Sequence, residues 1–362
     1  MATSWDITIP SVIFSSHLRE IKINTDLEKV IFFLYEGDDM GSYIYETSVY
    51  CANGTAILYD IYSIITTYMQ NKALSLLPLS VAVFSHNDTR TPLLTLHTNV
   101  VYSSHIMPSE AGSFASYNFL TTLTSKRTIP HSTEFLSIMH GQERNNMTAH
   151  CVFIDGSGNS VSSIVTLYDL GYDEIGIDTV LIQYDDILQK LTESGHVVNK
   201  LLAYTITWGN RTFSFYVHNI IPDVTFTFRN CFNVLETVSF SAVTTSKTKV
   251  DRSVAVVRSL YTFYDQTTTK EYEVQSSPLT MDEAQWIEQL FISHCVRFGV
   301  ALDFGTLPIA LINDSSCEIS DSNADLNRVK FSWQFQDKFP HNLNASAPED
   351  RIHQEQFTHQ FT

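Results

Sequence analysis

The stretch Thr212-Phe-Ser-Phe-Tyr-Val-His218 alternates apolar and polar side chains, and Asp223-Val-Thr-Phe-Thr-Phe-Arg229 repeats that alternation shortly afterwards. A period of two built from β-branched and aromatic residues is typical of a strand with one buried face. Just before the first stretch, Trp208-Gly-Asn-Arg211 supplies the Gly and Asn that tolerate positive φ. This part of the chain therefore predicts a hairpin in an antiparallel sheet.

The same signal occurs near the start of the chain. Glu28-Lys-Val-Ile-Phe-Phe-Leu-Tyr35 ends at the turn cluster Glu36-Gly-Asp-Asp39, and Ser42-Tyr-Ile-Tyr-Glu-Thr-Ser-Val-Tyr50 ends before Asn53-Gly54. Over all 362 residues, 44% are hydrophobic and only 17% are charged. That much apolar material excludes wholesale disorder, and the richness in Ser, Thr, Tyr, Phe and Val favours a mainly β fold.

A weak internal duplication is the most informative pattern. Tyr59-Asp60-Ile61 precedes a short helical pattern over residues 62–70, and Tyr184-Asp185-Asp186-Ile187 precedes another over residues 188–191, at an offset of 125. Three further matches keep the order at a similar offset: Val83-Phe-Ser-His-Asn-Asp-Thr-Arg90 with Ile206-Thr-Trp-Gly-Asn-Arg-Thr212, Val100-Val-Tyr-Ser-Ser104 with Phe226-Thr-Phe-Arg-Asn230, and Leu123-Thr-Ser-Lys126 with Thr244-Thr-Ser-Lys247. We favour a true duplication over the general likeness of antiparallel sheets.

The duplication predicts that residues 28–125 and 148–250 superpose as related β-sandwiches, each with a small helix, and that the two Tyr-Asp pairs are equivalent. An Asp near a helix N-cap can accept the free N–H groups of the first turn. We therefore interpret Asp60 and Asp185 as capping residues rather than as catalytic ones.

The last third of the chain has a different pattern. Pro278-Leu-Thr-Met-Asp-Glu-Ala-Gln-Trp-Ile-Glu-Gln-Leu-Phe-Ile-Ser293 predicts a helix over residues 281–293, with a capping box from Thr280 and Glu283 and a buried face carrying Trp286, Ile287, Leu290 and Phe291. Strands are predicted at residues 259–264, 270–275, 308–312 and 328–335, with a polar turn at 265–269.

The predicted organisation follows from these patterns. It comprises a β-sandwich module (1–127), a second similar module (128–250), an α+β module with an antiparallel sheet and one packed helix (251–340), and a C-terminal arm (341–362). The arm carries Phe357 and Phe361 in a polar stretch, so we expect it to dock on the sheet edge of a neighbouring subunit. An arm that folds back on its own domain is the alternative.

Charge and cysteine content limit the partners. The net charge is −17, which argues against nucleic-acid or membrane partners because both are themselves anionic. The short basic segments, Lys126-Arg127 and residues 247–252, are interpreted as solvated strand ends. Five widely spaced cysteines exclude a dense disulfide framework, and we expect neither a secretion signal nor a membrane-spanning helix.

Catalytic motifs are missing from the sequence. It contains no phosphate-binding glycine motif and no H-E-x-x-H, and Asp155-Gly-Ser-Gly158 is interpreted as a hairpin turn. We assign no catalytic, cofactor-binding or metal-binding residue. In the acidic loop 314–325, Asp321, Asn323 and Asp325 match the first ligand positions of a calcium loop, but Leu326 stands where Gly is required. A solvated turn is favoured, and an irregular calcium site stays open.

A resemblance adds to this interpretation. It rests on the following segments: Phe232-Asn-Val-Leu-Glu-Thr-Val238, Thr245-Ser-Lys247, Val250-Asp-Arg-Ser253, Tyr272-Glu-Val-Gln-Ser-Ser-Pro-Leu-Thr280, Glu283-Ala-Gln-Trp-Ile-Glu-Gln-Leu-Phe291 and Pro308-Ile-Ala-Leu-Ile-Asn-Asp-Ser315. In that order the chain resembles structural proteins encoded by tailed phages and prophages of the Bacteroides group of gut bacteria. The resemblance covers roughly residues 225–340, and the first 220 only in architecture.

The resemblance implies a virion role in the tail, with the protein made in the host bacterial cytoplasm. We therefore expect a non-enzymatic subunit of a phage tail or tail tip that self-associates and contacts other virion proteins. The first alternative is a glycan- or receptor-binding β-sandwich protein, for which Trp208 and Tyr216 are candidate stacking residues. A hydrolase on an all-β scaffold is the second alternative.

Overall fold

The computed structural model describes residues 3–6, 9–38, 41–258, 260–300, 304–318 and 327–336. The chain forms two compact units, one comprising Met1–Asn219 with Arg229–Glu236 and the other Ile220–Phe228 with Thr237–Thr362. Strands dominate both units, so the predicted mainly β fold class is confirmed.

The first module is a β-sandwich closed by a helix. Its elements are β1 Ser4–Trp5, β2 Val12–Phe14, β3 Ile21–Asn24, β4 Lys29–Glu36, β5 Tyr43–Tyr50, β6 Thr55–Leu58, α1 Ile61–Asn71, β7 Leu76–Ser85 and β8 Leu94–Val101, followed by α2 Ala111–Tyr117. A five-stranded sheet of order β2-β8-β7-β4-β5 and a three-stranded sheet of order β1-β3-β6 enclose one apolar core. Ile61, Ile65 and Met69 of α1 complete that core.

The second module has the same strand order. Its elements are β9 Ser125–Thr128, β10 Thr133–His140, β11 Glu143–Asp155, β12 Ser160–Tyr172, β13 Gly176–Gln183, α3 Tyr184–Glu193, β14 Val198–Trp208 and β15 Arg211–Val217. The five-stranded sheet runs β9-β15-β14-β11-β12, and β10 pairs with β13 as β3 pairs with β6. The first strand of each large sheet is parallel to its neighbour, β2 to β8 and β9 to β15. The two modules are therefore related, as the duplication predicts.

Several of the sequence matches nevertheless join positions that differ. Tyr59 precedes α1 and is 59% exposed, whereas Tyr184 is the first residue of α3 and is 6% exposed. The predicted equivalence of the two Tyr-Asp pairs is therefore wrong. Two further matches also fail. The counterparts of residues 100–104 and 123–126 are residues 226–230 and 244–247, which lie in or next to strands that follow the second module. Short β-strands of similar composition cannot be told apart by sequence alone.

The capping prediction for the two aspartates is also wrong. Asp60 is the N-cap residue of α1, but its φ is 55° and its side chain makes no cap hydrogen bond. Asp185 lies inside the first turn of α3, and its carboxylate contacts Nδ1 of His131 at 2.8 Å. In both helices the backbone conformation, rather than the residue type, decides what the carboxylate contacts.

The remaining strands build two further sheets around one helix. They are β16 Val224–Arg229, β17 Leu235–Phe240, β18 Ala242–Val257, β19 Leu260–Ser276, α4 Met281–Ile292, β20 Val296–Phe298, β21 Ala310–Glu318 and β22 Arg328–Phe335. The sheet orders are β17-β16-β20 and β18-β19-β22-β21. Phe226 packs edge-on against Trp333 at 5.3 Å between ring centroids, which links the two sheets.

The predicted helix of the last third is confirmed with its capping box. The Thr280 hydroxyl accepts from the Glu283 N–H, and the Glu283 carboxylate accepts from the Thr280 N–H. Trp286, Ile287 and Leu290 are buried at 4%, 2% and 0% exposure. Phe291 is half-buried and contacts Phe331 at 5.5 Å between ring centroids.

The polar turn predicted at residues 265–269 is wrong. β19 runs unbroken over Leu260–Ser276, and the hairpin turn lies at Arg258, whose φ is 51°. Residues 266–270 pair with residues 248–252 of β18. Residues 248–252 of β18 are all exposed, so no burial alternation marks this part of the hairpin.

Two predicted domain boundaries fall inside strands. The boundary at 127/128 divides β9, and the one at 250/251 divides β18. A strand pairs along its whole length, so each module must begin or end at a connection instead. Most of the acidic loop and the whole C-terminal arm, residues 319–326 and 337–362, lie outside the described residues.

Candidate functional site

A cleft of about 410 Å³ lies beside the β14–β15 hairpin of the second module. Its walls include Ser116 of α2, His140 and Glu143 at the β10–β11 turn, and Arg211 at the start of β15. The tight turn at Gly209 and Asn210 places Arg211 directly across from Trp208, its hairpin partner. Local turn chemistry therefore positions the guanidinium.

Arg211 is 5% exposed, and its hydrogen bonds go to the protein. Nε donates to the Ala115 carbonyl at 2.6 Å, and Nη2 donates to the Met139 carbonyl at 2.7 Å. Nη2 also lies 3.5 Å from the Glu143 carboxylate. Burial lowers the pKa of Arg211, and Glu143 partly opposes that shift. Since most of its donors are engaged, Arg211 acts first as a clamp between α2, β10 and β15.

His140 forms the second part of the cleft wall. Its ring stacks on Tyr172 at 3.6 Å between centroids, and Nδ1 lies 3.0 Å from the Glu174 carbonyl. Nε2 lies 3.5 Å from the Asp178 carboxylate. Burial, followed by the nearby Asp178, raises the pKa of Tyr172 to about 12, so this phenol stays protonated at neutral pH. Tyr172, the Glu174 carbonyl and the Asp178 carboxylate together hold the His140 ring in place.

The two candidate stacking residues differ in accessibility. Trp208 is fully buried, its indole N–H donates to the Asn145 carbonyl at 3.1 Å, and the Arg211 guanidinium covers its ring at 4.6 Å. Tyr216 of β15 is 51% exposed. Trp208 therefore cannot stack on a sugar in this conformation, and the two side chains do not form a joint platform.

The basic segments are largely neutralised within the chain. Lys126 is 7% exposed and its Nζ lies 2.6 Å from the Glu134 carboxylate, so its interpretation as a solvated strand end is wrong. Lys247 pairs with Glu273 at 2.7 Å, and Lys249 lies 3.2 Å from Asp251.

The hairpin turn predicted at Asp155 is present. The Asp155 carboxylate accepts from the N–H groups of Ser157 and Asn159 at 2.9 and 2.8 Å, and these bonds lower its pKa.

Among the four cysteines whose side chains are described, Cys151 and Cys231 are buried, and burial raises the pKa of Cys151 to about 12. A thiol held protonated in this way is a poor nucleophile.

No group of three or more His, Cys, Asp or Glu side chains within the described ranges is placed to hold a metal ion. In the same part of the chain, no helix combines the length and apolar character that crossing a membrane requires.

A second feature is the long β18–β19 hairpin. Among the described residues, its base pairs with β22 through Tyr272–Gln275 of β19 alone. Every residue from 243 to 252 is exposed, whichever way its side chain points. Beyond that base, residues 247–257 of β18 span about 35 Å, since a strand rises about 3.3 Å per residue. The hairpin tip carries five exposed apolar residues: Val254 49%, Val256 65%, Leu260 69%, Tyr261 85% and Phe263 64%.

Sequence reasoning did not single out the hairpin tip. Its residues read as ordinary strand alternation, and only the absence of a covering layer among the described residues distinguishes them. Arg211 and His140 were also missed, since neither lies in a recognisable motif.

No protein-family model and no curated protein matches this chain. Among solved structures, the chain is similar to the full extracellular region of plexin A4, domains 1 to 8, at 7% sequence identity and a TM-score of 0.21. The match covers 94% of this chain and 40% of that chain. A TM-score this low carries no argument about function.

Proposed function

We propose that the chain is a non-enzymatic structural subunit of a virion, a component of a phage tail or tail tip that assembles with copies of itself. The observation that carries this proposal is the exposed β18–β19 hairpin with its apolar tip. Large exposed apolar patches on soluble proteins mark interaction surfaces. The resemblance to tail-associated proteins is consistent with the same role.

The charges on the hairpin favour a second copy as its occupant. Over its two strands and the turn between them, residues 242–276, the hairpin carries five basic and four acidic residues, a net charge of +1, whereas the remaining 17 basic and 35 acidic residues of the chain give −18. A hairpin with almost no net charge is not repelled by the acidic body of another copy, and its apolar tip contributes burial at the contact. A contact between two different surfaces repeats from copy to copy and produces rings or filaments.

The free edge of β18 supports an assembly role. β18 is the outer strand of its sheet, with β19 as its neighbour. An exposed edge strand of 16 residues is a template for pairing with another chain, and charged residues such as Lys249 and Arg252 restrain indiscriminate pairing. The predicted C-terminal arm of a neighbouring subunit could use this edge, but that arm stays a prediction.

Self-association tests the proposal directly. We expect sedimentation velocity to show concentration-dependent oligomers. The double variant Tyr261→Ser/Phe263→Ser should stay monomeric with an unchanged thermal transition. The matched control is Tyr50→Ser, which removes a 70% exposed tyrosine from β5 and should leave assembly intact.

A wild-type chain that stays monomeric at all concentrations, or oligomers that survive the double variant, would overturn the role of the hairpin. The virion assignment is tested separately by mass spectrometry of purified phage particles. We expect this chain among the particle proteins, and its absence there would refute the assignment.

A further inference from the structure

A second cleft, of about 450 Å³, lies in the first module where α1 begins. Ser16 lines it, and its rim includes Arg19, Asp60, Ser63 and His105. Ser16 and Arg19 follow β2, and His105 follows β8. These residues lie on the same cleft because β2 pairs in parallel with β8. The cleft therefore depends on the fold of the first module and not on the assembly role proposed above.

The Ser16 hydroxyl is the first sign of a ligand. Ser16 is 6% exposed, and its Oγ has no hydrogen-bond partner within the described residues. The adjacent Ser15, by contrast, donates to the Ser103 carbonyl at 3.1 Å and accepts from the Ser103 N–H at 2.9 Å. Buried hydroxyls in native proteins nearly always have a partner, so an unpartnered one that lines a cleft is available to a ligand atom that enters it.

The start of α1 is the second sign. α1 is 11 residues long, and the side chain of its N-cap residue Asp60 accepts no hydrogen bond from the first turn. The N–H groups of Tyr62 and Ser63 thus lack a side-chain cap, and the helix dipole places partial positive charge there. Arg19 adds a full positive charge, and it makes no ion pair within the described part of the chain.

The second module provides an internal comparison. There the segment after β9 covers the start of α3: Nδ1 of His131 contacts the Asp185 carboxylate at 2.8 Å, and the Ser132 carbonyl accepts from the Tyr184 N–H at 3.0 Å. The corresponding segment after β2 is the 3-10 turn Ser15–His17, which carries Ser16. The same position is thus closed by the chain's own groups in one module and accessible in the other.

We infer that this cleft binds the phosphate group of a small phosphorylated polyol, such as a sugar phosphate. The phosphate oxygens accept from the Ser16 hydroxyl, the Arg19 guanidinium and the first-turn N–H groups of α1. The cleft is larger than a phosphate group alone requires, so its rim accommodates the hydroxyl-bearing part of the ligand as well. Asp60 and His105 on the rim offer hydrogen bonds to its hydroxyl groups.

Isothermal titration calorimetry on the full chain tests the inference with three probes. Glucose 6-phosphate is expected to bind, inorganic phosphate to bind more weakly, and glucose not to bind at millimolar concentration. Binding of glucose as strong as that of glucose 6-phosphate, or the absence of binding by both phosphates, would overturn the inference.

Variants locate the site. Arg19→Gln is expected to weaken glucose 6-phosphate binding at least tenfold, whereas Arg90→Gln, which removes an 89% exposed arginine of the same module, should leave it unchanged. Asp60→Asn is expected to strengthen binding because it removes a negative charge from the rim. Weaker binding in Asp60→Asn together with unchanged binding in Arg19→Gln would show that the cleft does not recognise an anion.

Ser16→Ala separates binding from folding. It removes an unpartnered buried hydroxyl, so the thermal transition without phosphate should be unchanged or higher. The increase in transition temperature on adding glucose 6-phosphate should be reduced. An undiminished increase in this variant would contradict the role of Ser16.

Discussion

Replacing Lys126 by Met tests the buried ion pair of the second module. Lys126 and Glu134 are each only 7% exposed at the side chain, and Nζ lies 2.6 Å from Oε2. The Thr128 hydroxyl donates to the other carboxylate oxygen at 2.7 Å. Met fills a similar volume but leaves Glu134 buried without its cation. Removing one partner of such a pair costs about 3–5 kcal/mol, and we expect Lys126→Met to lower the free energy of unfolding by that amount.

A double variant measures how much of the lost stability comes from burying the Glu134 carboxylate without Lys126. Lys126→Met/Glu134→Leu removes both charges, and apolar replacements of buried pairs are often neutral or stabilising. We expect it to recover most of the lost stability. Urea unfolding followed by far-UV circular dichroism gives the free energies of unfolding of the wild type, the single variant and the double variant.

An exposed pair in the same module is the control. Arg144 pairs with Asp169 at 2.6 Å with side chains 75% and 52% exposed, so Arg144→Met should leave the stability within experimental error. The reasoning fails if Lys126→Met costs less than about 1 kcal/mol, which is the range of solvated pairs. It also fails if the double variant is as unstable as the single one.

Two further predictions concern other parts of the chain. Ile287→Ala should lower the free energy of unfolding of the second unit by about 2–5 kcal/mol, because Ile287 is 2% exposed. Glu288→Ala, on the exposed side of α4, should change that free energy little. Equal effects of the two variants in urea unfolding would contradict the assigned buried face. Hydrogen bonds from the Tyr68 hydroxyl, and to a lesser extent from Lys72, lower the pKa of Glu36 below its ordinary value of 4.5. These bonds therefore stabilise the folded state fully above pH 4.5, and their contribution is lost as the pH falls through the lowered pKa. Tyr68→Phe should therefore lower the transition temperature at about pH 7, and calorimetry should show a smaller difference from wild type near pH 3; a difference independent of pH would refute this coupling.

Much of the fold could be predicted because burial leaves a periodic trace. The alternation over residues 212–218 corresponds to β15 at Arg211–Val217, and the capping box of Thr280 and Glu283 marks the start of α4. The turn predicted at 265–269 failed for the same physical reason. Residues 265–269 include no apolar side chain, so their sequence carries no apolar–polar alternation that reports a strand, although they lie within β19.

The candidate sites were less predictable than the fold. Ser16 and Arg19 lie more than 40 positions before Asp60, and no spacing rule connects them. Lys126 looked like a solvated basic residue because its acceptor, Glu134, lies on a separate strand. In each case the chemistry arises from residues that only strand pairing brings together.

The sequence by itself determined the mainly β class, the duplication and the helix of the last third, since these depend on local propensity and on the periodicity of apolar side chains. Tertiary structure decided which repeated elements are equivalent, which charges are buried, and which surfaces are accessible. Tyr59 and Tyr184 share a local motif, yet one is exposed and the other is buried. Burial is a property of what packs against a residue, and those neighbours come from distant parts of the chain.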